Sequence, residues 1–256
     1  MGLKEYIKKT PLWIRISYSM TYQRIRFPGA YKQQTEELSH YEALLKNRGH
    51  QLIFDVGANV GNKSSIFSKL ATKVVAFEPS KPCYHILESR FKNSNVSVFN
   101  VALGSQKGFL DFFEIKENEA YNTLSKKHIE TTVSERNIVD IKSILSQKVA
   151  VDTIENFIEK FGKPDYLKID VEGFEIEVLK GLKTTIPFVT FEANLPEFRE
   201  EAIEGIHYLS RISNGKYQFN FVIDTSFILE DYISAEQAVL FLKNTELRYL
   251  EIYAKI

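Results

Sequence analysis

The chain has 256 residues, enough for one large α/β domain or one domain with an appendage. An apolar fraction of 44% supplies a sizeable core, and a formal net charge of zero offers no global field to draw in nucleic acid. The single cysteine, Cys83, excludes an internal disulfide and a cysteine zinc cluster, and no apolar run is long enough to span a bilayer. A reducing compartment fits this composition. The amino terminus lacks the apolar core and cleavage site of a secretory signal, so a cytoplasmic protein is the expectation.

Residues 1–32 carry seven lysines and arginines against Glu5 alone, with Tyr6, Trp13, Tyr18, Tyr22, Phe27 and Tyr31 interleaved. Leu12, Ile16 and Met20 recur every four residues, which predicts a short amphipathic helix. Such a lead either docks on a membrane surface or a protein partner, or packs on the main domain with its lysines in water. Residues 35–46 read as a second helix ended by Gly49. Residues 1–49 thus form a basic, aromatic, helical extension, and 50–256 the main domain.

From 52 onward, strand and helix alternate. LIFDV at 52–56 is a buried strand, GANVG at 57–61 a small-residue turn, and 62–71 a helix. Gly57 and Gly61 can take positive φ, and Asn59 is the non-glycine residue best suited to a left-handed position. A strand at 74–77 ends at Glu78-Pro79, and Ser80 and Pro82 open the next helix. Residues 96–103 read as a third strand and 108–115 as an added hairpin strand. The polar stretch 116–147 lacks a period and reads as a substrate-covering insertion. A strand at 149–151 follows, and Asp152 with Glu155 predicts a capping box for the next helix. YLKIDV at 166–171 is a fourth strand, followed by a helix over 174–182. A fifth strand at 188–191 ends at Glu192-Ala193-Asn194, and 196–209 reads as helix. Strands at 217–223 and 247–252 close the chain, with a helix at 235–243 opened by Ser234 and Gln237. This alternation argues for a mostly parallel sheet with helices on both faces and an antiparallel closing strand.

Ligands of such sheets bind beyond the carboxyl ends of the strands. That rule picks out 55–61, Glu78-Pro79, 101–103, 170–173 and 192–194. Glu78, at the tip of the second strand, can accept hydrogen bonds from a ribose diol, which both NAD and S-adenosylmethionine present. The glycine spacing separates the two. A dinucleotide turn wants a third glycine where this chain has Asn62. Asp55, just before the turn, would repel a pyrophosphate and could meet an ammonium group. S-adenosylmethionine is favoured. An NAD-dependent sugar-modifying oxidoreductase is the alternative enzyme, and a non-catalytic subunit keeping the fold is the third possibility.

FDVGANVGN at 54–62, VVAFEPS at 74–80, NVALGS at 100–105, VDTIENF at 151–157, YLKIDVEGFEIEVLKG at 166–181 and TFEAN at 190–194 stand in one order. In these stretches the chain resembles the FkbM family of S-adenosylmethionine-dependent methyltransferases. The resemblance implies the class I methyltransferase sheet, with strand order 3-2-1-4-5-7-6 and an antiparallel last strand. It implies methyl transfer to oxygen, with a sugar, glycan or secondary-metabolite hydroxyl as acceptor. The expected cofactor-binding residues are Asp55, Gly57, Ala58, Asn59, Gly61, Asn62, Glu78, Pro79, Ala102 and Asp170.

For catalysis, the acceptor must lose a proton as it is aligned with the methyl group. Asp170 and Glu172 would share one face of the fourth strand, and one of them as general base is the leading assignment. They could instead hold a divalent cation such as Mg²⁺ with Glu192 or Asn194, or cap the next helix and bind the methionine end of the cofactor. His128, in the covering insertion, is a third base candidate. Amine methylation of nucleic-acid bases fits poorly, because the turn at 170–173 is Asp-Val-Glu-Gly, without an Asn/Asp-Pro-Pro-aromatic sequence.

Overall fold

The computed structural model describes residues 10–45, 52–115, 119–134 and 144–256. Three helices come first: α1 (Pro11–Ser17), α2 (Met20–Arg26) and α3 (Pro28–Leu45). The single amphipathic helix expected over 12–20 is therefore two. Ser17 and Ser19 donate their hydroxyls back to Ile14 and Ile16 carbonyls, and Ser19 then accepts from Tyr22 N–H as the N-cap of α2. The helix expected over 35–46 starts earlier, at Pro28; Lys46 and Gly49 lie outside the described residues.

The main sheet begins with β1 (Leu52–Val56), α4 (Asn62–Leu70), β2 (Lys73–Phe77), α5 (Lys81–Phe91) and β3 (Val96–Phe99). After the inserted segment come α7 (Ile154–Phe161), β7 (Tyr166–Ile169), α8 (Glu175–Lys180), β8 (Phe188–Asn194) and α9 (Arg199–Ile212). The chain closes with β9 (Gln218–Ile223), β10 (Ser226–Phe227), α10 (Ala235–Asn244) and β11 (Tyr249–Lys255). The strand order is β10-β9-β11-β8-β7-β1-β2-β3. Strands β3, β2, β1, β7 and β8 are parallel, and β11 runs antiparallel between β8 and β9. Counting only the strands of the main alternation, this is 3-2-1-4-5-7-6 with the last strand antiparallel, plus the short β10 at the edge.

Both sheet faces are covered, and the side-chain alternation of the strands shows how. Leu52, Phe54 and Val56 pack with Ile154, Phe157, Leu179, Ile206 and Leu242 from α7 to α10. Ile53, Val74 and Ala76 face the other way, against Tyr41 and Leu45 of α3, Ile66 and Phe67 of α4, and Leu87 and Phe91 of α5. The amino-terminal extension is thus joined to the sheet through α3. Among the described residues no helix is long and apolar enough to cross a membrane.

Several expected boundaries move. The strand expected over 96–103 breaks at Asn100, whose side-chain amide donates to the Glu78 and Pro79 carbonyls, each at 2.9 Å. Its remainder is β4 (Ala102–Leu103), which pairs parallel with β6 (Ile144–Asp152) in a second sheet. There β6 also pairs antiparallel with β5 (Gly108–Ile115) along its length. The insertion is accordingly shorter than expected, because 144–147 belong to β6. It contains a 3₁₀ turn (Glu119–Tyr121) and α6 (Lys126–Ser134), so His128 sits on a helix, not in a loop. The helix after β6 is capped by Thr153, whose hydroxyl accepts from Asn156 N–H. Glu155 reaches elsewhere, accepting from Lys183 N–H, Thr184 N–H and the Thr184 hydroxyl. The Ser234–Gln237 capping box of α10 is present as expected.

Candidate active site

Beyond the carboxyl ends of β1, β2, β4 and β7 lies a cleft of about 780 Å³, including its open mouth. Val56, Gly57, Asn59, Glu78, Pro79, Ala102, Asp170 and Glu172 line it, with Phe77, Val101, Leu103 and Phe112 among its apolar walls. Ala120, Asn122 and Leu124 of the insertion complete it. Among the described residues lining it are three carboxylates and no lysine, arginine or histidine.

The β1–α4 turn is built by close approach. Gly57 has φ +78°, and a Cβ there would sit 1.8 Å from the Asp170 carbonyl oxygen, so no side chain fits. Asn59 holds φ +49°. Gly57 and Ala58 donate their N–H groups to the Phe77 carbonyl, and Gly61 donates to Ala58. These three amides are therefore spent within the fold and are not offered to a ligand. The Asn59 N–H is spent too, on Glu78.

Glu78 is buried, with both carboxylate oxygens engaged on the protein side. Oε2 accepts from Asn59 N–H and Oε1 from Ser80 N–H, each at 2.8 Å. Burial pushes its carboxyl up to about 7, against the pull of those two N–H groups. Each oxygen keeps a second lone pair, and the residue borders the cleft.

The second half of the site is the 170–175 turn. The strand ends at Ile169, and Glu172 has φ +54°, so Asp170 and Glu172 do not share a strand face as expected. The turn is instead gathered by the Glu175 carboxylate. Its Oε1 accepts from Val171 N–H at 3.0 Å and Gly173 N–H at 3.2 Å, and burial pushes Glu175 up to about 7. The Glu172 carbonyl accepts from the Thr123 hydroxyl at 2.7 Å, which ties the insertion to the turn. The Thr123 oxygen accepts from Ser125 N–H, and the Ser125 oxygen from His128 N–H at the start of α6. This chain of short contacts sets His128 Nε2 3.6 Å from Glu172 Oε2. His128 is buried between Tyr121, Phe198 and Gly173 and does not line the cleft; Glu172 does.

Asp170 faces a buried cation. Its Oδ2 lies 2.9 Å from Lys168 Nζ, which is also 3.5 Å from Asp55 Oδ1. Burial works against the Lys168 ammonium, but Asp170 and Asp55 outweigh it and hold its pKa above the ordinary lysine value. One oxygen each of Asp170, Glu172 and Glu192 come within 4.8 Å of one another, a set of hard donors that could hold a divalent cation. Burial, followed by Asp170 and Glu172, pushes Glu192 well above the usual carboxylate range.

Comparison with known proteins bears on this geometry. Residues 55–229, more than half of the chain, match the methyltransferase FkbM domain. The chain belongs to the FkbM methyltransferase family. It is 30% identical over 155 residues to methyltransferase sdnD of Sordaria araneosa, covering 51% of this chain and 60% of that protein. It is 28% identical over 140 residues to the hexuronic acid methyltransferase AglP of Haloferax volcanii, covering 55% of this chain and 53% of AglP. The chain therefore spans somewhat more than half the length of these curated relatives. Among solved structures, the plantazolicin methyltransferase BpumL in complex with SAH aligns over 98% of either chain, at 12% identity and a TM-score of 0.44. A likeness that distant carries no weight for the reaction.

Within this FkbM-family fold, six of the ten expected cofactor-binding residues line the cleft: Gly57, Asn59, Glu78, Pro79, Ala102 and Asp170. The other four do not. Asp55 is fully buried, its Oδ2 accepting from the Ser64 hydroxyl and its Oδ1 facing Lys168, so its charge is spent inside the protein. Ala58 is core. Gly61 is pressed against Leu87 and Phe91. Asn62 is turned toward Arg90, accepting from its guanidinium at 3.3 Å. Residues not expected at the site are Lys168, Glu175, Asn100 and Thr123. Lys168 and Glu175 carry a visible signal, a charge inside an otherwise apolar strand and an acid three places beyond Glu172. For Asn100 and Thr123 the sequence gives none. The cleft suits S-adenosylmethionine, since a lining with three carboxyl groups and no basic side chain among the described residues suits a sulfonium and an ammonium and opposes a pyrophosphate.

Proposed function

We propose that this chain transfers a methyl group from S-adenosylmethionine to a hydroxyl of a sugar, glycan or secondary metabolite. The observation that carries this is the cleft lining, with Glu78, Asp170 and Glu172 and no basic side chain among the described residues. An NAD-dependent oxidoreductase would need that lining to accept two phosphates. The glycan acceptor draws on AglP, named for hexuronic acid methylation, which is related to this chain over about half its length.

S-adenosylmethionine supplies an activated methyl group on a sulfonium. Glu78 accepts from the ribose hydroxyls through its two remaining lone pairs. Asp170, held by Lys168 through Oδ2, offers Oδ1 to the cofactor's ammonium. Glu172 takes the acceptor's proton; it borders the cleft, and His128 behind it orients its carboxylate. Ala120, Asn122 and Leu124 cover the site and exclude water.

Isothermal titration with S-adenosylmethionine and a labelled-methyl screen of glycan and small-molecule hydroxyls test the reading. Once an acceptor is found, Glu172→Gln should lower kcat by about 10²–10⁴-fold while leaving cofactor affinity within a factor of a few. Full turnover by that variant would remove Glu172 from the chemistry. A second reading rests on the Asp170, Glu172 and Glu192 cluster as a divalent-cation site. It requires chelator-treated protein to lose turnover and regain it with Mg²⁺.

A further inference from the structure

The amino-terminal helices have two unlike sides. On the inner side they are fixed to the domain. Trp13 of α1 and Tyr22 of α2 pack edge to face at 5.8 Å and hold the two helices together, and the Arg90 guanidinium of α5 lies 4.1 Å over the ring of Tyr18, the C-cap of α1, which ties them to the domain. Arg90 also donates to the Val60 carbonyl and Asn62 Oδ1, so the end of α1 is joined through one side chain to the β1–α4 turn and the first residue of α4. Thr10 and Ser19 cap α1 and α2 with their hydroxyls, which makes both helices formed elements with a defined outer surface.

The exposed side chains are apolar and basic at once. Leu12 is 70% exposed, Ile16 43%, Ile25 76% and Phe27 48%. Leu12 and Ile16 lie one turn apart on α1, with Arg15 between them; Ile25 lies between Arg24 and Arg26 at the end of α2. All three arginines are exposed. No acidic residue occurs between positions 6 and 35, while the rest of the chain carries the compensating negative charge. Single exposed apolar residues are ordinary, but four of them on two short helices and the C-cap of the second, set among charge of one sign, are not. Nucleic acid would use the arginines and leave Leu12, Ile16 and Ile25 in water. An anionic bilayer uses both, burying the apolar side chains at the acyl boundary and attracting the guanidinium groups to phosphate.

We propose that the exposed residues of α1 and α2 and of the α2 C-cap, Leu12, Ile16, Ile25 and Phe27 with Arg15, Arg24 and Arg26, dock the protein on an anionic phospholipid membrane surface. None of these residues lines the cleft, so the docking stands or falls apart from the methyl-transfer reading.

The experiment is sedimentation of the full chain with vesicles of phosphatidylcholine alone and of phosphatidylcholine mixed with phosphatidylglycerol, at low and high salt. The expected result is binding to the mixed vesicles only, weakened by salt. Each arginine near the surface is worth about fivefold in partitioning, so Arg24→Gln with Arg26→Gln should lower it roughly 25-fold. Ile25→Glu with Phe27→Glu should abolish it. Circular dichroism and light scattering on the variants check that fold and oligomeric state are unchanged. No binding to mixed vesicles, or equal binding to neutral ones, overturns the proposal. So does binding of RNA or duplex DNA in place of vesicles, or a wild-type dimer that the Ile25→Glu/Phe27→Glu variant splits, which would assign the face to nucleic acid or to a second copy.

Discussion

Replacing Glu78 with glutamine keeps the shape of the side chain and removes one acceptor oxygen and the charge. In the wild type, Oε2 takes the Asn59 N–H and Oε1 the Ser80 N–H, both at 2.8 Å. In Glu78→Gln the new amide NH₂ must face one of those two donors. A hydrogen bond to a charged group contributes about 1.5–3 kcal/mol, and one such bond is lost within the protein. That loss is partly offset, because a neutral amide is relieved of the burial that pushes the Glu78 carboxyl up to about 7. Cofactor binding has no such offset. On the proposed ribose assignment one of the two acceptor positions for the diol is gone, so the dissociation constant for S-adenosylhomocysteine should rise about 10- to 150-fold, with a small change in stability. Isothermal titration at several pH values measures this. Only the ionised carboxylate accepts both hydroxyls. Wild-type affinity should therefore increase as pH rises from 6 to 8, through the titration of Glu78 near 7, and the glutamine variant should be flat. Affinity within twofold of wild type, or the same pH slope in both proteins, would refute the assignment of Glu78 to the ribose.

Two further predictions concern the charges beneath the site. Lys168→Met leaves the fully buried Asp55 and its neighbour Asp170 without their shared cation. It should cost about 3–5 kcal/mol in urea unfolding, and adding Asp55→Asn should recover part of that; a cost under 1 kcal/mol would show that the ion pairs are not what holds this polar layer together. Glu78 and Glu175 both titrate near 7 in the fold, against 4.5 for an ordinary glutamate, because burial favours their protonated forms. The folded protein then holds protons that the unfolded chain has released, so stability falls as pH rises from about 4.5 to about 7, by at most about 3 kcal/mol per group. The urea midpoint should drop between pH 5 and pH 8, less so in Glu175→Gln; an equal drop in wild type and variant would remove Glu175 as a source.

Much of the fold was legible because its causes are local. Apolar strands, Gly57 at a turn that admits no Cβ, Pro82 early in α5 and the Ser234–Gln237 box each act within a few residues. The misread places are those where a distant partner competes. Asn100 ends β3 because the Glu78 and Pro79 carbonyls need a donor, and Glu155 leaves its expected cap for the Lys183–Thr184 backbone. Asp55 looked like a ligand contact beside the turn. Its strand parity points it at Ser64 and, across the β1–β7 register, at Lys168.

The sequence by itself determined the family, through motifs standing in one order, and the strand ends at which chemistry can occur, through short-range periodicity; the strand order entered only as what the family resemblance implies. Tertiary structure decided which of those residues face the cleft. It directed Asp55 inward and Asp170 toward Lys168, folded Glu172 out of the strand through a turn gathered by Glu175, and brought His128 to Glu172 from an insertion with no readable period. The reason is that a buried charge must be paired, and its partner is chosen by where neighbouring strands and inserted segments come together in space, which spacing along the chain does not encode.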